Sequence, residues 1–195
     1  MWHHPLVAGA AMGLRNGSSA YGAIAVLLHW ISALLLFGLF ALGLYMVGLD
    51  YYHPWRQDAP ALHKSIGALF FLLTTLRLFW RWFDPPPPPP HHHPPFEVRL
   101  ARWTHRLFYL LLFAIMISGY LIATADGRPL SVFGWFAVPA VISLDNLEDW
   151  AGTLHYTLAL TILGLVCVHA LAACKHHFVD GDGTLKRIFG IPPQC

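Results

Sequence analysis

The chain has 195 residues, of which 56% are hydrophobic and only 11% charged, against about 25% charged in an average soluble domain. That balance excludes a soluble globular enzyme and leaves little chain for a domain outside a bilayer. The net charge of +2 gives no basis for nucleic-acid binding. The compositional oddity is 13 histidines against 12 lysines and arginines.

Residues 1–19 are expected to form a cytoplasmic N-terminal tail. The opening MWHHPLVAGAAMGLRNG lacks the basic region of a cleaved secretory signal, so it reads as retained and disordered, with Met12 as an alternative start. Residues 20–49 contain no acid or base except His29, long enough for a first transmembrane helix. DYYHPWRQDAP then makes a polar connection whose Tyr51, Tyr52 and Trp55 suit the interfacial belt. A second helix is expected over 61–83, with Lys64, Arg77 and Arg81 snorkelling at its ends.

DPPPPPPHHHPP at residues 84–95 breaks any helix and favours a stiff polyproline II connector. Its three histidines read as low complexity, with a surface metal site as the alternative. A third helix follows over 99–124, with Arg99, Arg102, His105 and Arg106 in its first turns. The longest connection, 126–149, carries the apolar LSVFGWFAVPAVI, expected to lie on the membrane surface and not across it. The fourth helix, 150–177, has no charge from Trp150 to Cys174. A cytoplasmic tail, 179–195, closes the chain, leaving 20–178 as one membrane domain. Cys167, Cys174 and Cys195 form no C-x-x-C pair and no C-x-x-C-H, so neither a zinc site, a redox dithiol nor covalent haem attachment is indicated.

Charge sets the orientation. Arg15, Arg77, Arg81, Arg99, Arg102, Arg106, Lys175, Lys186 and Arg187 fall at one surface; Arg56, Lys64 and Arg128 fall at the other with six acids. Nine bases against three puts both termini and the Pro/His connection in the cytoplasm. The expected fold is an all-α integral membrane four-helix bundle, N-in and C-in.

Histidines within such helices are costly and read as functional. His155 and His169 are 14 residues apart, so they leave one face of the fourth helix, separated by roughly 21 Å along the axis. Depth then pairs His169 with His29 near the cytoplasmic side and His155 with His63 near the outer side. Bis-histidine ligation from facing helices at two levels predicts two stacked b haems. A zinc or dinuclear site would want three or four N, O or S ligands close together, and the membrane interior lacks carboxylates. Gly43 and Gly119 lie 14 residues after His29 and His105, and with Gly67 they are expected to let a flat macrocycle approach the helices; small-residue helix packing is the alternative.

His105 competes with His29 for His169, although Arg102 and Arg106 beside it favour an interfacial or propionate-contacting role. Arg77 is expected to reach a propionate or a quinone carbonyl, or simply to snorkel. His176, seven residues past His169, is a candidate proton donor to a quinone, with a plain interfacial cluster as the alternative.

These residues together resemble the bacterial cytochrome b561 family. The matching motifs are the helix-one H-W (His29, Trp30), the helix-two H-K-x-x-G (His63, Lys64, Gly67) and the Arg77–Arg81 pair. THRLFYLLL, SGY and FGWFAVP match further on. Most specific is HALAACKHHFVDGDGTLKRIFG, with its H-x6-H-H-F and D-G-T-L-x-R elements. The resemblance spans roughly residues 20–190 and departs at the Pro/His insert and the extended N-terminus. It implies a dihaem b-type cytochrome of the bacterial inner membrane, ligated by His29, His63, His155 and His169. It also implies electron transfer between an outer-surface donor and ubiquinone or another quinone. One member type oxidises superoxide, with the quinone near the position of His176.

Three functions follow as expectations. The favoured one is a quinone-linked oxidoreductase in which electrons enter at the outer haem, cross to the inner haem and reduce a quinone near His176 and Arg77. Superoxide, attracted by Lys64 or Arg128, or a redox partner protein is the donor. The second is a cytochrome b anchor and electron relay for a membrane-bound hydrogenase or dehydrogenase. The third is a histidine-lined proton or metal transporter, which would be colourless.

Overall fold

A computed structural model describes residues 12–89 and 94–191 of the chain. Residues 1–11, the histidines at 91–93 with their alternative metal reading, and the end of the tail with Cys195 lie outside the described residues. The elements in order are α1 (Ala23–Val47), α2 (Asp58–Phe83), α3 (Pro95–Thr124), β1 (Leu130–Val132), β2 (Phe136–Val138), α4 (Leu147–Phe178) and α5 (Thr184–Ile188). Helices α1 to α4 are each long and apolar enough to cross a membrane. α2 opens three residues earlier than expected and α3 four residues earlier, on Pro95, whose fixed φ and missing N–H suit a first helical turn.

The large apolar side chains are on the outside. Leu34, Val47, Leu110 and Leu171 are about three-quarters exposed, an arrangement that water would not tolerate over so large an area but hydrocarbon does. Cys167 and Cys174 are free thiols on this outer surface. The buried core is small: Phe70, Leu112 and Ile162, with Leu35, Leu36, Leu39, Leu73 and Ile115 against it. Each central residue sits midway on its helix, Phe70 between His63 and Arg77, Leu112 between His105 and Gly119, and Ile162 between His155 and His169. The apolar layer therefore separates two polar levels, each about 10 Å away along the axes.

Packing within the bundle is uneven. α1 lies along α2 and α3 along α4, α2 and α3 touch less, and α1 and α4 are at most in marginal contact. The bundle is thus two helical hairpins with a loose seam between its first and last helices.

Each end of the bundle is closed by a device absent from the expectations. At one end, β1 and β2 pair antiparallel with Val132 opposite Phe136. Phe133 and Gly134 carry φ of 51° and 73°, and the Trp135 N–H donates to the Val132 carbonyl (3.0 Å), the pattern of a type I′ turn. A phenylalanine at positive φ is strained; its N–H donates to Ser65 Oγ (3.0 Å), whose own hydroxyl donates to the Ala61 carbonyl (2.9 Å). That pins the hairpin onto α2, with Val132 fully buried. Tyr120 Oη donates to the Pro139 carbonyl (2.6 Å) and accepts from the Val141 N–H (3.1 Å), holding the return strand to α3.

At the other end, Asn16 donates from its backbone to Asp84 Oδ2 (2.9 Å) and from its amide to the Asp84 and Pro85 carbonyls (2.9 and 3.1 Å). Buried Arg187 on α5 donates to the Ser19 carbonyl (2.9 Å) and the Pro88 carbonyl (2.8 Å), while Trp30 stacks on Phe189 at 4.9 Å. The segment around residues 12–19, expected as part of a disordered tail, is therefore tied to the second connection, and the C-terminal segment folds back onto both. The D-G-D-G run makes this possible: Gly181 and Gly183 take positive φ, and Asp182 accepts from the Thr184 N–H (2.8 Å) and hydroxyl (2.6 Å).

Candidate functional site

At the hairpin end, His63 of α2 faces His155 of α4 across the bundle, their ring centroids 6.2 Å apart and their planes at 72°. A first-row metal lies about 2.0 Å from an imidazole nitrogen, and the ring centre roughly 1.1 Å further, so two imidazoles on opposite sides of one metal have centroids about 6.2 Å apart. The observed separation fits an iron held between them.

The outward nitrogens are oriented differently. His155 Nδ1 lies 2.9 Å from the Ile115 carbonyl. A carbonyl only accepts, so Nδ1 carries the proton and Nε2 is free to ligate. Ser118 Oγ sits 3.1 Å from the same Nδ1 and donates to the same carbonyl (2.8 Å). His63 Nδ1 is buried facing α1, near the Leu39 backbone and Gly43, without reaching hydrogen-bond geometry. The glycines at this level have a different use from the expected one. A Cβ at Gly119 would lie 3.1 Å from His155 Cε1 and 3.3 Å from its Nδ1, and one at Gly43 would lie 3.4 Å from His63 Cε1. These two glycines make room for the imidazoles themselves. Gly67, where a Cβ would meet nothing within 4 Å, faces the space where the macrocycle expectation still applies.

That space is a cavity of about 1710 Å³ lined by His63, His155, Gly43, Gly67 and Gly119 among apolar side chains of all four long helices. It exceeds the roughly 300–1,000 Å³ of an ordinary small-molecule site, and its polar lining lies at the hairpin end: Lys64, Arg128, Asp126, Asp58 and Glu148. Arg128 is committed to Asp126, its Nε donating to Oδ2 (2.6 Å). That side-chain bond holds the Asp126 carboxyl below the usual carboxylate range and pushes the Arg128 guanidinium up. Among the described residues Lys64 has no ion pair, so it is the cavity's uncommitted cation.

At the other level the four helices contribute His29, Arg77, His105 and His169. His169 is in edge-to-face contact with His105 at 5.5 Å and with Phe108 at 5.4 Å, closer than two imidazoles on opposite sides of one iron would stand. His29 Nδ1 accepts from Arg77 Nη2 at 2.9 Å; an arginine only donates, so the neutral ring carries its proton on Nε2. Arg77 also lies over the Tyr109 ring at 5.9 Å. Among the described residues it has no carboxylate partner. His105 thus contacts the site directly, while Arg102 donates to the Val98 carbonyl (3.4 Å) and Arg106 lies over Trp103 at 5.1 Å, on the outer surface.

Beyond this level His176 Nδ1 stands 2.7 Å from Asp180 Oδ2, which Lys175 Nζ also approaches at 2.7 Å, with Glu97 Oε1 3.4 Å from Nζ. The hydrogen bond from Lys175 holds the Asp180 carboxyl below its usual range. Glu97, His176 and Asp180 have ligand atoms within 4.8 Å of one another, but both carboxylates are already ion-paired to the Lys175 ammonium. It is an ion-paired cluster two turns past His169. Ser118, the Ile115 carbonyl and the hairpin are the parts that spacing did not disclose; S-G-Y was visible only as a motif.

Residues 20–190 match the family profile described as prokaryotic cytochrome b561. The chain is 49% identical over 180 residues to cytochrome b561 homolog 2 of Escherichia coli K12, covering 92% of this chain and 96% of that protein. It is 30% identical to the probable superoxide oxidase CybB of Yersinia pestis, over 86% of this chain and 94% of that one. Cytochrome b561 homolog 1 of Escherichia coli K12 is 27% identical, over 84% and 93% respectively.

Proposed function

The chain belongs to the prokaryotic cytochrome b561 family, a multi-pass membrane b-type cytochrome of electron transport, and from that premise we propose that it oxidises a donor at the hairpin end and reduces a quinone at the basic end. The observation that carries the proposal is the 6.2 Å facing of His63 and His155 beside the large cavity. In this reading the membrane is the bacterial inner membrane, with the basic end in the cytoplasm by its excess of arginine and lysine.

Two b haems are held, one by His63 and His155, the other by His29 and His169. The first pair is supported by its spacing and by the locked tautomer of His155. The second is supported by packing: α3 lies tightly along α4, with the His105 and His169 rings already in contact at 5.5 Å, whereas the α1–α4 seam is loose. Ligation by His29 Nε2 requires its proton to move to Nδ1, so His29 must give up Arg77. The freed guanidinium, with no carboxylate of its own, then suits a propionate or a quinone carbonyl. His105 keeps its edge against His169 and fixes that ring's plane.

When bound, b haem supplies reversible one-electron transfer at an iron with no open position, which disfavours oxygen binding at the metal. The remaining work belongs to the chain. Lys64 attracts a small anionic donor to the cavity mouth, and the apolar wall excludes water. His176, paired with Asp180, supplies protons at the basic end. With superoxide as donor the balance closes: two superoxide ions lose one electron each to become oxygen, and one quinone gains two electrons and two protons. The relative named as a probable superoxide oxidase supports this choice of donor.

Adding superoxide to the purified, oxidised protein tests it. Rapid appearance of reduced b-haem bands, slowed in Lys64→Gln and by added salt, is the expected result. Reduction by quinol alone, with superoxide inert, would move the reading to an electron relay for a separate dehydrogenase.

A further inference from the structure

The hydroxyl of Ser118 is buried, 1% exposed, yet it is placed where it changes the chemistry of a histidine on another helix. The Ile115 carbonyl receives two donors, the Ser118 hydroxyl at 2.8 Å and His155 Nδ1–H at 2.9 Å. In an ordinary helix that carbonyl would serve the backbone, and a serine three residues on would bond locally without consequence. Here the same oxygen holds the ring of a proposed ligand.

We infer that Ser118 is a positioning residue that sets the reduction equilibrium of the hairpin-end haem, by competing for the carbonyl that accepts the His155 proton. An axial imidazole whose N–H meets a strong acceptor becomes more basic and favours ferric iron; one whose acceptor is shared is less basic and favours ferrous iron. Ser118 Oγ, 3.1 Å from Nδ1, is a more distant acceptor than the carbonyl at 2.9 Å, so its main effect is on the carbonyl it shares, and it holds the outer site more easily reduced than the bare carbonyl would. Among the described residues His63 Nδ1 has no acceptor at hydrogen-bond geometry, only the Leu39 backbone nearby, so the adjustment acts through one ligand of the pair. The neighbouring Gly119 leaves His155 close enough for this: a side chain there would press on the ring that Ser118 trims.

The inference rests on His63 and His155 being the outer ligands, and the test separates the two. His155→Ala in the full-length protein is a control on that reading: it should remove one haem of two, and an unchanged haem content would refute the ligand assignment itself, and the inference with it. Ser118→Ala is then titrated potentiometrically with optical detection. The expected result is full haem content and a downward shift of one midpoint only. The shift should correspond to a three- to tenfold change in the reduction equilibrium, tenfold being about 59 mV for a one-electron couple. Ser118→Thr, which keeps the hydroxyl, should restore the wild-type value. An unchanged or raised midpoint in Ser118→Ala, or equal shifts of both haems, would overturn the inference. Loss of the haem from both variants would do the same, leaving Ser118 a packing residue.

Discussion

An alanine at Gly119 should damage the hairpin-end site in proportion to one measured distance. Its Cβ would stand 3.1 Å from His155 Cε1 and 3.3 Å from Nδ1, inside ordinary van der Waals contact, so the ring must yield by a few tenths of an ångström. Overpacking of this kind costs about 1–3 kcal/mol. Replacing glycine by alanine within a helix returns roughly 0.5–1 kcal/mol of backbone entropy. The net is about 0–2.5 kcal/mol unfavourable, and at about 1.4 kcal/mol per tenfold outer-haem affinity should fall by up to roughly sixtyfold. Gly43→Ala, at 3.4 Å from His63, should be nearly neutral, and Gly38→Ala, with nothing within 4 Å, should be harmless. The assay is pyridine-haemochrome quantitation of each purified variant during haem titration, with Tm alongside. The order of damage should be Gly119, then Gly43, then Gly38. Equal effects at all three, or full affinity in Gly119→Ala with a loss at Gly38, would refute the idea that these glycines clear space for the imidazoles.

Further outcomes follow from the same geometry. Gly67→Leu, projecting into the cavity, should lower outer-haem occupancy at least tenfold while the inner haem persists, as read from the split of the reduced spectrum. Arg77→Gln should slow quinone reduction at least tenfold and shift only the inner midpoint; steady-state reduction with a soluble quinone measures the first and potentiometry the second. Ser65→Ala leaves the part-buried Phe133 N–H without its acceptor, a loss of about 1 kcal/mol, and limited proteolysis should then cut the 130–138 hairpin faster. At the basic end, Asp180 is depressed by Lys175, so its contribution is present above the ordinary carboxylate pKa and is lost as pH falls through the lower folded value. Exchange or spin-label mobility at residues 179–183 should therefore rise only in strong acid, and Asp180→Asn should remove that dependence.

The four long helices were legible because hydrocarbon imposes a simple condition, about twenty apolar residues without charge, which residues 20–49 and 150–177 meet openly. The depth of each histidine was legible for the same reason, since 1.5 Å per residue converts number into height. Azimuth was not. Spacing puts His29, His105 and His169 at one level, but which ring meets which depends on how α3 and α4 pack, and His105 is the one in contact. The hairpin was hidden because FGWFAVP reads as interfacial, and positive φ at Phe133 has no signature in a residue that rarely adopts it. Gly43 and Gly119 were recognised by spacing, yet their immediate neighbours are imidazoles. Residues around Asn16 and α5 were passed over as tails because their anchors, Asp84 and Pro88, are distant in the chain.

The central claim is that this bundle holds two b haems at two histidine levels. The most direct test is a reduced-minus-oxidised visible spectrum of the purified protein with pyridine-haemochrome quantitation. Two b haems per chain, falling to one in either His63→Ala or His155→Ala, is the result predicted. Fewer than one haem per chain, or a colourless protein, would contradict it.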